Sequence, residues 1–565
     1  TARMTGGVRF SCLFGSRFRY FIPLGGGPSR LSAGLASSTV SSRVEALGVG
    51  VYQLLVVACV GGVSLCESME MGAVAPLHSA IARVFGLSDS IRASLPAFTY
   101  AGSMAGLVVA GPMGDNWGRR VTLMLSLLFI SLSMTITAVL PATINPAILL
   151  GLRFLSGFSG AVGGPSGMSL AVESCPESVR SKVMFAIMFV GSLGYLCEAF
   201  AVEIFMPSFG EGQDDALRAF CICIAAPALL ALPLTFVIAE SPCFLAVKGR
   251  AESCARVLDK IAWWNGLAGM RQSIRVPRVQ ASHLNVRDGT TVTSLVWSTA
   301  IAFLAYPWIL SLLIVIDSSR SFFMSGSSYL WKDLFSMPSV AAQVSPSLLN
   351  VIASLSPLVG LLLGERIVKR LGVRTTCLAC SAVAGSALLV LTFATLRGIP
   401  ALLLCMVLAT KLTYGPLGTC IVLMKLEAFP TEVRTTIFSF ISMCGKLLCL
   451  LAPTMVEVMR HGEKSTDWTD RNLSIYIWCL IATAAATGVF AIFTDGSADE
   501  RKPLEDYVDP DTNRKDPNGT SLPAGRQNSF YGSFYNIWTP TSASATPTWI
   551  GGEQQPIFGA SGKKS

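Results

Sequence analysis

Residues 171–182 read AVESCPESVRSK, and residues 425–436 read KLEAFPTEVRTT. Both contain E-x-x-P-x-x-V-R: Glu173, Pro176, Val179 and Arg180, then Glu427, Pro430, Val433 and Arg434. The offset, 427 less 173, is 254 residues. The same offset carries Gly118 and Arg120 of GDNWGRR onto Gly372 and Arg374 of VKRLGVR. Two separate motifs sharing one offset mark a duplicated chain. The duplication implies two structural halves with matching charged turns.

Composition says where those halves reside. The chain has 565 residues, of which 52% are hydrophobic and only 14% charged. Mean hydropathy is +0.57. A soluble chain would carry about 25% charged residues. Here the charges bunch between apolar runs of about 20 residues, the length that crosses a bilayer as a helix. Twelve such runs are centred near residues 62, 102, 130, 156, 192, 228, 310, 354, 384, 411, 446 and 483. Six fall in each half. No alternating strand pattern is present, so a β-barrel is excluded. The expected fold is an all-α membrane protein of twelve transmembrane helices in two pseudo-symmetric halves, 49–240 and 297–495. A tail at 1–48, a linker at 241–296 and a polar tail at 496–565 complete the division.

Lys and Arg gather in loops on one side of this topology: Arg119, Arg120, Arg180, Lys182, the 248–287 cluster, Arg366, Lys369, Arg370, Arg374, Lys425 and Arg434. The loop at 206–217 on the other side is acidic. That bias predicts cytosolic termini. The net charge of +9 then reflects topology, and no nucleic-acid partner is expected. Residues 1–43 lack acidic residues and read as a cytosolic tail, a targeting segment or an artefact. Of the 16 cysteines, most lie inside apolar runs and behave as small hydrophobes. The stretch 252–260 predicts a short amphipathic helix within the linker.

The loop between runs two and three reads Gly111-Pro-Met-Gly-Asp115-Asn-Trp-Gly118-Arg119-Arg120. Gly118 permits a tight turn. Asp115 can neutralise a positive helix N-terminus, and Arg119 and Arg120 can meet carboxylates of neighbouring loops. The second copy departs from it, with Lys369 in the place of the Asp and Val373 in the place of an Arg. The two E-x-x-P-x-x-V-R turns, with Glu173, Arg180, Glu427 and Arg434, can cross-link helices when one side of the protein is shut, making bonds that break in the other state.

G-x-x-x-D-x-x-G-R-R with twelve runs and a duplication resembles the major facilitator superfamily. Within it, the chain from about residue 44 to 505 is similar to the sugar-porter and organic-ion group, and more closely to the synaptic-vesicle-protein-like and niacin-transporter-like branch. The similarity is carried by 44–53 (VEALGVGVYQ), by Glu67-Ser-Met-Glu70-Met71, and by Ala239-Glu-Ser-Pro-Cys-Phe-Leu followed by Lys248-Gly-Arg-Ala-Glu. The last resembles P-E-S-P-R-W-L, with Cys243 in the place of the Arg. Run seven lacks the Q-Q-x-x-G-x-N pattern of sugar porters, which points away from a hexose.

Ionisable residues inside spans are costly and mark function. Glu67 and Glu70 share a face of run one. Arg153 stands at similar depth in run four. Resemblance to proton-coupled sugar porters implies that the run-one carboxylate pairs with Arg153 and that protonation releases the pair. Glu198 lies in run five, Lys411 in run ten and Lys446 in run eleven. Lys446 has no partner within reach on its own helix, so another helix or a substrate must supply one. Tyr195 and Tyr414 are candidate contacts beside these charges.

The expected function is secondary transport of a small organic solute by alternating access. The leading substrate is a proton-coupled organic anion, an aromatic or monocarboxylic acid, met by Lys411 and Lys446. An organic cation held by Glu67, Glu70 or Glu198 is second, and a sugar or phosphate third. A transport-dead receptor or scaffold is the reading from another class. There is no G-x-x-x-x-G-K-[ST] loop, metal cluster or triad, so neither an ATP-driven pump nor an enzyme is expected, and no cofactor or metal. The protein is expected as a monomer in the plasma membrane or an endomembrane.

Overall fold

In hydrocarbon every backbone N–H and C=O must be satisfied within the chain, so long apolar runs become helices. The computed structural model describes residues 40–494, apart from 142, 206–213, 268–306, 336, 338–339, 341–343, 430–433 and 462–469. Most of the expected N-terminal tail, the linker from 268 onward and the tail at 496–565 lie outside the described residues.

Six long helices form the first half: α2 (Val51–Val84), α3 (Asp89–Asn116), α4 (Arg119–Val139), α5 (Pro146–Glu173), α6 (Arg180–Phe205) and α7 (Asp214–Ala231). Six more form the second: α11 (Pro307–Phe335), α12 (Pro346–Leu371), α13 (Val373–Arg397), α14 (Pro400–Glu427), α15 (Arg434–His461) and α16 (Asp470–Ile492). Eleven of these twelve contain stretches long and apolar enough to cross a membrane. The twelfth, α3, carries Gly, Ser and Thr because α5 and α15 take up its faces. Short helices sit between and before the halves: α1 (Val40–Leu47), α8 (Leu234–Val237), α9 (Pro242–Val247) and α10 (Ala251–Trp264). The amphipathic stretch read at 252–260 is α10, and it buries Cys254, Leu258 and Ile261.

The duplication is visible in helix ends and in helix contacts. α5 and α14 both have 28 residues and begin at prolines 254 positions apart, Pro146 and Pro400. Gly118 and Gly372 both have positive φ, 110° and 81°, at the start of α4 and α13. A methyl on Gly106 would overlap the carbonyl oxygen of Phe158, and one on Gly360 would overlap that of Leu412. These two crossings, α3 on α5 and α12 on α14, are the same contact made twice. Membrane helices approach this closely only where a small residue opens the way.

Gly360→Val is therefore expected to force α12 and α14 apart. Overpacking of this kind costs about 1–3 kcal/mol. A lowered melting temperature of the detergent-solubilised protein checks it, and unchanged melting would refute the close crossing.

The two halves meet along α3 with α15 and along α6 with α12. At the loop end of α5, the segment α1–α9–α10 forms its own small core from Val40, Val44, Cys243, Phe244, Leu245, Ala246, Cys254 and Leu258. Asn265, just after α10, accepts from the Tyr52 N–H at 3.2 Å and donates to the Leu47 carbonyl at 3.2 Å. Glu45 of α1 accepts from the Glu177 N–H at 2.6 Å and from Ser178 Oγ at 2.9 Å. α1, packed against the linker helices, is thus tied to the first E-x-x-P-x-x-V-R turn.

Candidate functional site

Glu173, the last residue of α5, is fully buried and bonds three partners. Arg119 Nε lies 3.4 Å away and Arg434 Nη1 3.0 Å away, and the Ser241 hydroxyl donates to it. Arg434 belongs to the other half. The sequence reading had each turn cross-linking through its own Glu and Arg; in the structure the Glu of one copy holds the Arg of the other. Arg434 also donates to the Phe429 carbonyl at 3.1 Å. Arg180, by contrast, is buried with its Nε unbonded. Glu427 is half-buried and engaged.

Asp115 makes a second bond between the halves. Its Oδ2 accepts from the backbone N–H of Thr436 at 3.0 Å and from the Thr436 hydroxyl at 2.7 Å. Those donors lie in the first turn of α15, where unbonded N–H groups and the helix dipole favour an anion. Arg119 sits 3.3 Å from the other oxygen. Gly111, one turn back on the same face, lets α15 come close: a methyl there would lie 2.5 Å from Thr436 Cα. The spacing of Gly111 and Asp115 is thereby explained.

Gly118 answers to Glu240. The Glu240 carboxylate accepts from the N–H groups of Arg119 at 2.9 Å and Arg120 at 3.1 Å, capping α4. A side chain on Gly118 would collide with it. Burial pushes the Glu240 carboxyl above the usual carboxylate range, against the opposing Ser241 N–H and the Arg119 charge. Arg120 donates to the carbonyl of Thr235 at 2.7 Å. Cys175, in the turn after Glu173, is buried, and its thiol is pushed up to about 12.

Deeper in the membrane, Glu67 of α2 and Lys446 of α15 pair at 3.4 Å across the halves. Their side chains remain 31% and 23% exposed, so the pair borders open space. The pairing of Glu67 with Arg153 implied by resemblance is not formed. Arg153 is buried and donates to Thr137 Oγ1 at 2.9 Å and to the Met134 sulfur at 3.6 Å, while its Nε and Nη1 find no hydrogen-bond partner. It stands on the α4 side of α5, whereas Glu67 leans toward the interface. Glu70, three residues on from Glu67, is buried with Oε1 unbonded and lies within electrostatic reach of Arg153.

The remaining candidates are dispersed. Glu198 packs on Gly72 of α2, where a methyl would lie 2.7 Å from Oε2. Lys411 is buried on α14 and engaged. Tyr414 is buried, bonded to Ser327 and to Trp331 Nε1, and set edge-on to Phe323. Tyr195 is part-exposed on α6, within electrostatic reach of Lys446, Glu67 and Arg320.

A second charged group escaped the sequence reading. Asp317 of α11 is buried against Arg320 at 3.0 Å and Lys425 at 3.4 Å. Lys425, counted above as a loop cation, is buried: it donates to Ser442 Oγ at 3.0 Å and lies 4.2 Å from the Phe438 ring. Asp317 and Arg320 three apart inside an apolar run were legible as an intramembrane pair.

Two related helical bundles whose charges bond across the seam between them have the build of a membrane transporter, not of an enzyme. The Major Facilitator Superfamily profile matches residues 60–453, and the chain belongs to that family. It is 25% identical over 465 residues to the synaptic vesicle 2-related protein of Pongo abelii, covering 81% of each. It is 28% identical over 198 residues to the 4-hydroxybenzoate transporter PcaK of Acinetobacter baylyi, covering 35% of this chain and 41% of that one. Its fold is similar to that of the proton:xylose symporter XylE bound to 6-bromo-6-deoxy-D-glucose, with a TM-score of 0.57, 18% identity, and coverage of 80% of this chain and 98% of that one.

Proposed function

We propose that this transporter moves a small organic anion together with a proton, by rocking of the halves 49–240 and 297–495. The observation that carries the reading is the Glu67–Lys446 pair, made across the halves and bordering open space. Lys446 lies twelve residues into α15, about 18 Å along its axis, well inside a hydrocarbon core about 30 Å thick. A proton on Glu67 removes the counter-charge and leaves the ammonium free for a carboxylate from solution. Proton and anion then bind in one event, and the empty carrier re-forms its internal pair. The names of two similar proteins, a 4-hydroxybenzoate transporter and a proton:xylose symporter, agree with an organic acid and with proton coupling.

The bonds of Asp115 and Glu173 serve as the gate at one end, taken as the cytosolic side because the basic loops cluster there. Both termini then face the cytosol. An organic cation is the second reading, supported by the buried, unbonded Oε1 of Glu70.

Uptake of labelled organic acids, amines and sugars into proteoliposomes, with and without an imposed pH gradient, tests this. Acid accumulation driven by inward proton flow is expected. Gradient-independent uptake of amines would favour the cation, and no uptake of any class would favour a receptor.

A further inference from the structure

Arg320 and Lys446 flank one helix crossing. Ser321, next to Arg320 on α11, is so close to Gly445, next to Lys446 on α15, that a methyl on Gly445 would lie 2.8 Å from Ser321 Oγ. One turn beyond Lys446, Cys449 Sγ donates to the Ser321 carbonyl at 3.4 Å. Tyr195 of the opposite half lies within electrostatic reach of both cations. The two positive groups therefore face one region between the halves.

Neither cation is saturated. Arg320 gives Nε and Nη2 to Asp317 Oδ1 at 3.2 and 3.0 Å, and Nη2 also to Ser321 Oγ. Its Nη1 has only the thioether of Met324, a weak acceptor, at 3.1 Å. The side chain is 22% exposed. Asp317 holds the guanidinium from beneath, and Lys425 shares that carboxylate from the buried side. A fixed guanidinium with one nitrogen unfilled is a docking point for an anionic oxygen.

The charge balance points the same way. Arg320, Lys425 and Lys446 face the carboxylates of Asp317 and Glu67. With Glu67 protonated, three cations stand against one anion. A monocarboxylate only restores the balance of the empty carrier, three cations against two anions. A second anionic group would neutralise the cluster, in a low-dielectric place where uncompensated charge is costly.

We infer that the substrate carries two anionic groups, one received by Lys446 and one by Arg320, with Asp317 and Lys425 positioning the arginine. The inference rests on the proton-coupled anion reading and narrows it from organic acids to dicarboxylates. Lys411 and Glu198, buried and otherwise engaged, take no part.

The test uses the purified full-length transporter in proteoliposomes under an inward proton gradient. The probes are four- to six-carbon dicarboxylates and their monomethyl esters. The wild type is expected to prefer the diacid. Arg320→Gln should raise the KM for the diacid by about 10- to 100-fold, the loss of one charged hydrogen bond. It should leave the monoester nearly unchanged, erasing the preference. Arg320→Lys should restore part of it. The double variant D317N/R320Q keeps the local charge sum and should behave like Arg320→Gln if docking is what was lost. Equal transport of diacid and monoester by the wild type overturns the inference while leaving anion symport standing. So does an Arg320→Gln protein that keeps the preference. Failure of every acid to respond to the proton gradient overturns the underlying reading as well. A drop in melting temperature with unchanged selectivity in the double variant assigns Arg320 to structure alone, and also overturns the inference.

Discussion

Glu67→Gln is expected to abolish accumulation of substrate driven by a pH gradient while sparing exchange of labelled for unlabelled substrate at equal pH. Glutamine keeps the shape of the protonated acid but cannot release a proton. Lys446 then loses its counter-charge permanently and stays open to the substrate. Exchange needs only binding and rocking of the loaded carrier, so it survives. Net accumulation needs the empty carrier to return, and that step needs Lys446 neutralised within the protein. A bare ammonium in hydrocarbon costs several kcal/mol, enough to slow the return about 10²-fold or more. The comparison variant is Glu70→Gln. Glu70 is buried and feels Arg153 before Lys446, so its loss should lower stability more than coupling. Normal accumulation by Glu67→Gln would remove Glu67 from the coupling step. Loss in Glu70→Gln alone would transfer the role to the Glu70–Arg153 side of the first half.

Glu173→Gln should produce the largest change in conformation. In the described state the Glu173 carboxylate offsets two buried guanidinium groups, Arg119 from its own half and Arg434 from the other. Removing one partner of a buried ion pair costs about 3–5 kcal/mol, because a charge is left uncompensated. When the halves separate at this end, water reaches both arginines and the penalty lapses. The variant therefore moves the population toward the form open at this end, by about 10²-fold or more. Spin labels at Trp117→Cys, just after α3, and at Leu371→Cys, the last residue of α12, both exposed at this end, would report it as a longer distance. Cys197 and Cys405, the exposed cysteines among the described residues, are replaced first. Asp115→Ala should act in the same direction but more weakly, since it gives up hydrogen bonds to Thr436 and not a buried pair between halves. An unchanged distance distribution in Glu173→Gln would show that this cluster supports the fold and does not hold the gate.

Much of the architecture follows from features that are local along the chain. Apolar runs of bilayer length become helices whatever their neighbours, because hydrocarbon offers the backbone no other partner. The 254-residue offset carried helix starts at Pro146 and Pro400 and the positive-φ turns at Gly118 and Gly372 without knowledge of any contact. The pairing of charges was a different matter. Glu173 finds Arg434 across 261 positions, and Glu67 finds Lys446 across 379. Which partner is met depends on how each helix is rotated about its axis and on which end of the carrier is shut. A membrane helix that is apolar on nearly every face gives little sign of its rotation. Lys425 looked like a loop residue because it lies next to a turn motif, yet it folds inward to Asp317. Sequence spacing therefore settled the helices, the two halves and the charged turns. The partner of each charge was decided by packing between helices distant in the chain, where an unpaired charge is too costly to leave and several partners were sterically open.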